Sequence, residues 1–190
     1  MFYRPRDGHG LPHSPFHAVV SPRPIGWIST RSAFGDNLAP YSFFNAVGYN
    51  PPQVMFAGDL RDSIQNARDT GIFAVNIVEE AALQAMNATS ARLPRGTDEF
   101  QVAGVPKAEC DTIDCPRVAN APATLECRVT QVVPLLGGDH MVIGEVTGVH
   151  LRDDCLVEGR FDVTRYRPAA RLGYQDYSFV RDVVALKRPG

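Results

Sequence analysis

The stretch ATLECRVTQVVPLLGGDHMVIGEVTGVHL, residues 123–151, decides the fold. Two runs rich in β-branched residues, 123–133 and 140–151, flank a short polar break. In that break Gly137-Gly138-Asp139 supplies residues able to take the positive φ that a hairpin turn requires. Working outward, PFHAVV (15–20), IGWIST (25–30), QVMFAG (53–58) and IFAVNIV (72–78) are further strand-like runs bounded by Pro, Gly, Asn or Asp. Helical segments are few: SIQNARDTG (63–71), with Asp62 or Ser63 as N-cap and Gly71 as stop, and EEAALQAMNA (79–88), with acids in its first turn. There is no strand–helix–strand rhythm and no GxGxxG turn, so a doubly wound dinucleotide-binding sheet is excluded. A mainly β chain remains, an antiparallel barrel closed or partly open, with a few short helices. Residues Arg92 to Arg117 show no strong periodicity and read as an excursion across the surface, a lid or a subunit contact.

The 190 residues, 44% hydrophobic and 21% charged, suit a single domain spanning 1–190 and exclude disorder. The longest uncharged stretch, Asn37 to Gly58, contains three prolines and cannot span a membrane. The opening MFYRPRDGHG has no apolar core before a cleavage site, so the expected location is the cytoplasm. Cys110, Cys115, Cys127 and Cys155 are too few for a disulfide framework and lack the paired spacing of a zinc site. The prolines and glycines around His9, His13 and His17 forbid the helix that would make them a metal face, so no metal is expected. A net charge of -2 argues against a nucleic-acid partner. That charge is uneven: both ends are positive and the middle strongly negative, and nearly every cation is Arg. The pattern fits planar recognition of phosphate or carboxylate, and codon bias in a GC-rich genome accounts for it equally well.

Three clusters carry candidate chemistry. In SPRPIGWISTRSAFGDNLAPYSFFN (21–45), prolines around Arg23 precede the only tryptophan, Trp27, and the hydroxyls Ser29 and Thr30. Asn37, Tyr41, Ser42 and Asn45 are then interleaved with Pro40, Phe43 and Phe44. Hydrogen-bonding groups among aromatics suit a planar heterocyclic ligand, or a turn-rich barrel edge. In RDSIQNARDTG (61–71), Arg61, Ser63 and Asn66 lie near a helix N-terminus, which is a phosphate seat or a simple cap. His140 opens a strand after a tight turn, placed either to meet an anionic or carboxamide substrate or to be solvated.

Taken together, SPRPIGWIST, NLAPYSFFN, PPQVMF, RDSIQNARDTGIFAVNI, LPRGTDEF, PRVANAPATLEC, GGDHMVIGEV and PAARLGYQDY resemble, in order, the flavin reductase-like family with the FMN-binding split-barrel fold. The resemblance runs from about Leu11 to Tyr177 and is closest to the flavoredoxin-like branch. It implies a six-stranded Greek-key barrel, a homodimer, and one noncovalent FMN per subunit near the interface. Carried over by position, it implies that Arg23, Pro24, Ile25, Gly26 and Trp27 line the isoalloxazine, largely through backbone groups, and that Ser29 and Thr30 reach the ribityl chain or phosphate. Asn37, Leu38, Ala39, Tyr41, Ser42 and Asn45 would close over the flavin, and Arg61, Ser63 and Asn66 would hold the phosphate. His140, the catalytic candidate, would lie near a nicotinamide. Arg171 and Tyr177 match a C-terminal RLGG-x-x-Y pattern, whose second glycine is here Tyr174.

What the resemblance implies about function is an FMN-dependent oxidoreductase that accepts hydride from NADH or NADPH and passes it to an acceptor. An FMN electron carrier, a noncatalytic FMN module, and a heme- or pyridoxal-phosphate-handling split barrel are the alternatives. Hydride chemistry belongs to the cofactor, which agrees with a sequence that offers no nucleophile triad.

Overall fold

Seven strands hydrogen-bond into one antiparallel sheet: β1 (Gly26–Ser32), β2 (Gly35–Tyr41), β3 (Phe44–Tyr49), β4 (Pro52–Gly58), β5 (Ile72–Ile77), β6 (Ala123–Pro134) and β7 (His140–Leu151). Their spatial order is β2-β1-β5-β6-β7-β4-β3 in a computed structural model that describes residues 1–190. The two edge strands, β2 and β3, are consecutive in the chain and separated only by Ser42-Phe43. The sheet therefore rolls until its edges meet, and Tyr41 of β2 stacks edge-on against Phe56 of β4, 5.0 Å between centroids. This is the expected split barrel, in which β2 and β3 lie side by side but do not hydrogen-bond to each other and so remain the edges of the sheet. It has one strand more than six, because the Ser42-Phe43 break divides one extended run into β2 and β3.

The hairpin of residues 123–151 forms as read. Pro134 faces His140 and Ala123 faces Leu151, and the turn is made by Gly137 (φ 82°) and Gly138 (φ 94°), while Asp139 stays extended. Two register shifts, at Ile143/Gly144 and Val146/Gly148, bend this long ribbon around the barrel.

Inside the barrel Ile28, Phe44, Val54, Phe56, Phe73, Val75, Cys127 and Val142 are buried. The opening is plugged by Ile64 and Ala67 of α1 (Asp62–Thr70), which ends at left-handed Gly71 (φ 75°). Its N-cap is extended Arg61 with no side-chain cap, so Asp62 and Ser63 fall inside the first turn and Ser63 is released for another role.

A second buried cluster covers the outside of β1 and β2. Ile25, Trp27 and Leu38 pack against Val78, Met86 of α2 (Leu83–Ala88), Phe100 of α3 (Glu99–Val102), Val105, Val118 and Ala169. The stretch from Arg92 to Arg117 is therefore not simply a surface excursion. Phe100, Val105, Ile113 and Cys115 are buried, and the Leu38 N–H donates to the carboxylate of Glu99 at 3.0 Å. Its apolar residues are too widely spaced to show a period, yet each finds the outer face of the barrel.

The run PFHAVV, expected as a strand, is instead a helical turn, Phe16–Val19, with no sheet edge beside it and its apolar side chains largely exposed. Near the C-terminus, Ala169–Arg171 pairs with Arg23–Pro24 on one side and Tyr177–Phe179 on the other in a small ribbon. No helix is long and apolar enough to cross a membrane.

At Gly144 an added Cβ would lie 2.5 Å from the ring of Phe73, which is fully buried. Gly144→Ala is expected to destabilise the barrel by about 1–3 kcal/mol through overpacking. Urea unfolding followed by circular dichroism checks this as a lower midpoint.

Candidate functional site

A groove runs along the end of β2 and has two arms that share Pro40, Ser42 and Ser90. One arm, of about 720 Å³, lies between Arg23 and Ile25, the polar face of α2, and the C-terminal turn bearing Arg171, Tyr174 and Tyr177. The other, of about 570 Å³, lies between Asn37, Ala39 and Tyr41 of β2, the entry to α1 at Arg61–Ser63, and the segment Thr89–Arg95. Each arm falls within the size range of small-molecule sites.

The α1 arm is polar and mixed in charge. Arg61, Arg92 and Arg95 share it with Asp59, Asp62 and Glu99. Arg61 is paired with Asp59, and the guanidinium of Arg95 lies 4.1 Å from the centroid of the Phe34 ring. Ser63 is buried, and its Oγ accepts from Asn37 Nδ2 at 2.8 Å. The first-turn amides of α1 have no intrahelical partners and carry the positive end of the helix dipole. Burial pushes the Tyr41 phenol up to about 12 and raises the Glu99 carboxyl, the latter opposed by the Leu38 N–H.

The Arg171 arm contains no carboxylate. Arg23, only 7% exposed, donates to the carbonyls of His17, Val20 and Leu172, and its Nε has no partner. Arg171 donates to the Tyr177 hydroxyl and the Tyr174 carbonyl. Tyr174 itself is held at φ 58°, the left-handed region that favours the glycine of the RLGG pattern, and its side chain lines the groove.

Of the expected ligand-binding residues, the structure brings Arg23, Ile25, Asn37, Ala39, Tyr41, Ser42, Arg61, Ser63, Arg171 and Tyr177 to this groove. The side chains of the others do other work. Ser29 and Thr30, expected to reach a ribityl chain or phosphate, are fully buried: Ser29 Oγ donates to the Pro116 carbonyl (2.6 Å) and Thr30 Oγ1 accepts from Asn66 Nδ2 (3.1 Å). Asn66 is thereby turned inward, away from the α1 arm. Trp27 and Leu38 belong to the outer core, with Trp27 Nε1 donating to Thr89 Oγ1 at 2.9 Å. Gly26 faces the ring of Phe44, which leaves no room for a Cβ. Pro24 lies in the C-terminal ribbon and Asn45 is exposed on β3 with its Oδ1 on the next N–H. Strand alternation explains where these side chains go: neighbours along β1 point to opposite faces, both of which are covered, so any contact of Gly26 or Trp27 with a ligand falls to their backbone groups, as expected of them. His140 opens β7 opposite Gly58, with Nδ1 3.1 Å from the Gly138 carbonyl. It lines neither arm, although Gly58 does.

Sequence reasoning missed one whole wall. Gln84, Asn87 and Ser90 line the groove, as do Arg92 and Arg95. Their signal was legible, since 84, 87 and 90 fall three apart and share a face of α2 and its continuation, while Met86 goes to the core. With no activated nucleophile among these residues, the groove can bind and orient a ligand but supplies no covalent chemistry of its own.

Comparison with known proteins agrees with the fold. The model of the flavin reductase like domain matches residues 19–179. An uncharacterized protein of Deinococcus radiodurans is 38% identical, over 90% of this chain and 82% of its own. Among solved structures, nitrilotriacetate monooxygenase component B from Bacillus cereus is similar at 29% identity and TM-score 0.86, covering 90% of each chain. The 2-nitrobenzoate 2-nitroreductase of Pseudomonas fluorescens is similar at 30% identity and TM-score 0.84, covering 92% of this chain and 88% of that one.

The inward placement of Ser29 has a measurable outcome. Ser29→Ala leaves a buried carbonyl and one donor of Asn76 unpaired, and is expected to cost about 1–3 kcal/mol of stability. Chemical denaturation reads the loss, and fluorescence titration with FMN is expected to give an unaltered affinity because the hydroxyl does not face the groove.

Proposed function

The chain belongs to the flavin reductase-like family, and on that premise we propose that it is an FMN-dependent oxidoreductase taking hydride from a reduced nicotinamide. The observation that carries this reading is one continuous groove with arginines and the free first-turn amides of α1 at one end and a broader, partly apolar arm at the other. The buried Arg23 guanidinium, which has no carboxylate beside it and lines the broad end, fits a polar ligand in the groove.

The chain's own residues divide the work. At the α1 arm the first-turn amides, Arg61, Arg92, Arg95 and Ser63 hold the phosphate. Ser63 Oγ accepts from Asn37 and lies within hydrogen-bond reach of the Tyr41 phenol, which sets these three polar groups together along the α1 arm. At the broad arm Ile25, Pro40, Leu83 and Met86 offer apolar surface to the rings, and Ser42, Gln84, Asn87 and Ser90 offer hydrogen bonds to their polar edge. When bound, FMN supplies the two-electron chemistry, accepting hydride and returning reducing equivalents to an acceptor. The part left to the chain's own residues would be to orient donor and acceptor beside the bound cofactor and to exclude water.

We place the protein in the cytoplasm as a homodimer. Tyr49, 94% exposed, and the neighbouring Val47 give β3 an apolar outer face that a second copy would cover, as Leu135 and Leu136 do at the tip of the β6–β7 hairpin. His140 lines neither arm of its own chain's groove, so its proposed part in orienting the nicotinamide calls for the groove of a second copy.

FMN is expected to bind more tightly than riboflavin. Arg61→Ala or Arg95→Ala should weaken FMN by about tenfold each while riboflavin changes little, since a charge-assisted bond is worth about 1.5–3 kcal/mol. Equal dissociation constants for the two flavins in fluorescence titration would remove the phosphate assignment. Stopped-flow mixing of holoprotein with NADH and NADPH tests the donor. His140→Ala is expected to slow that reduction without altering FMN affinity, and an unchanged single-turnover rate would leave His140 a turn residue.

A further inference from the structure

The groove has two cationic ends, whereas FMN carries a single phosphate. At the α1 arm the three arginines are offset by three carboxylates, Asp59, Asp62 and Glu99. At the other arm nothing offsets Arg23 and Arg171. The groups that face Arg23 are the carbonyls of His17, Val20 and Leu172 and the ring of Phe43, 5.9 Å from the guanidinium. Those facing Arg171 are the Tyr177 hydroxyl, the Tyr174 carbonyl and the Tyr177 ring at 4.6 Å. Carbonyls and rings solvate a cation without neutralising it. Burial lowers the pKa of Arg23, and the like charge of Arg171 lowers it further, as expected of two cations left to face each other.

Around this pair the walls are aromatic. Tyr174 and Tyr177 belong to the same turn, and His17 lies across the arm. Tyr174 holds a left-handed backbone that is disfavoured for any residue with a Cβ, and its ring is propped edge-on by His13 at 5.8 Å. A strained, propped and half-exposed aromatic beside an unneutralised guanidinium is a receptor for a flat anion.

We propose that the C-terminal side of the Arg171 arm, facing the surface that Ile25, Pro40, Leu83 and Met86 offer to the flavin rings, seats the carboxylate of an aromatic redox partner of the flavin, with Arg171 receiving the carboxylate and Tyr174 lying against the partner's ring. The guanidinium fork of Arg171 matches the two carboxylate oxygens, and the buried charge of Arg23 adds to the attraction from behind it. The assignment rests on the FMN reading above. The same fork would also accept a phosphate, so the cofactor's own phosphate is the rival source of the anion.

The test uses FMN-loaded protein and two dead-end probes of equal shape, benzoate and benzamide, followed through the visible absorbance of the bound flavin. Benzoate is expected to bind at least about tenfold more tightly than benzamide, the equivalent of one charge-assisted bond, with the preference shrinking as salt is raised. Arg171→Met should abolish the preference. Tyr174→Gly, which relieves the backbone strain and so favours folding, should weaken both probes together. Equal affinities in the parent, or a preference that survives Arg171→Met, would overturn the seat. So would an Arg171→Met variant that has lost its preference for FMN over riboflavin, because the arm would then hold the cofactor phosphate. A parent protein that takes up no flavin overturns the FMN reading and the seat with it, and shows itself as a colourless protein before any probe is added.

Discussion

One side-chain amide holds the two layers of this molecule in register. Asn76 of β5 is fully buried and makes all four hydrogen bonds open to it. Nδ2 donates to the Trp27 carbonyl (2.9 Å) and Ser29 Oγ (3.0 Å), and Oδ1 accepts from the Val118 N–H (2.8 Å) and Thr124 Oγ1 (3.0 Å). It thus ties β1 and β6 to the strand at 116–118 that belongs to the outer layer. Ser29 extends the tie to the Pro116 carbonyl, and Trp27 extends it to Thr89 at the groove wall. A saturated polar network in a dry interior specifies one arrangement, since any slip strands several donors at once.

That register is what makes a groove rather than a closed core. The barrel interior is filled by its own aromatics and by α1, so no ligand enters there. The outer face of β1 and β2 is covered as far as Met86, and beyond it the α2 wall stands away from Pro40 and Ser42. The groove is the space between a sheet edge and a layer held at fixed distance by Asn76, Trp27 and Glu99. Its polar ends follow from chain direction: α1 begins at one end, and the C-terminal turn folds back over the other.

The sequence was most legible where local chemistry decides the outcome. The Gly137-Gly138 turn and the runs it joins read directly as a hairpin, and Gly71 marked the end of α1. Apolar alternation gave the strands but not their facing. The hydroxyls of Ser29 and Thr30 resemble ligand contacts as text, yet both sides of β1 are covered and they are spent on Pro116 and Asn66. Phe16 to Val19 has strand composition and forms a helical turn, because strand propensity means little without a neighbouring strand. The polar stripe of Gln84, Asn87 and Ser90 was readable in principle, but only the fold shows that it faces Pro40 and Ser42 across a gap.

The ribbon in which Ala169–Arg171 pairs with Arg23–Pro24 sets an order of events during synthesis. A chain emerging from the ribosome can close β1 to β7 and assemble the α1 arm well before residue 168 appears. The Arg171 arm, by contrast, needs Arg171, Leu172, Tyr174 and Tyr177, and Arg23 reaches its Leu172 partner only then. The groove is therefore completed last, when the C-terminal turn folds back over a barrel that is already closed.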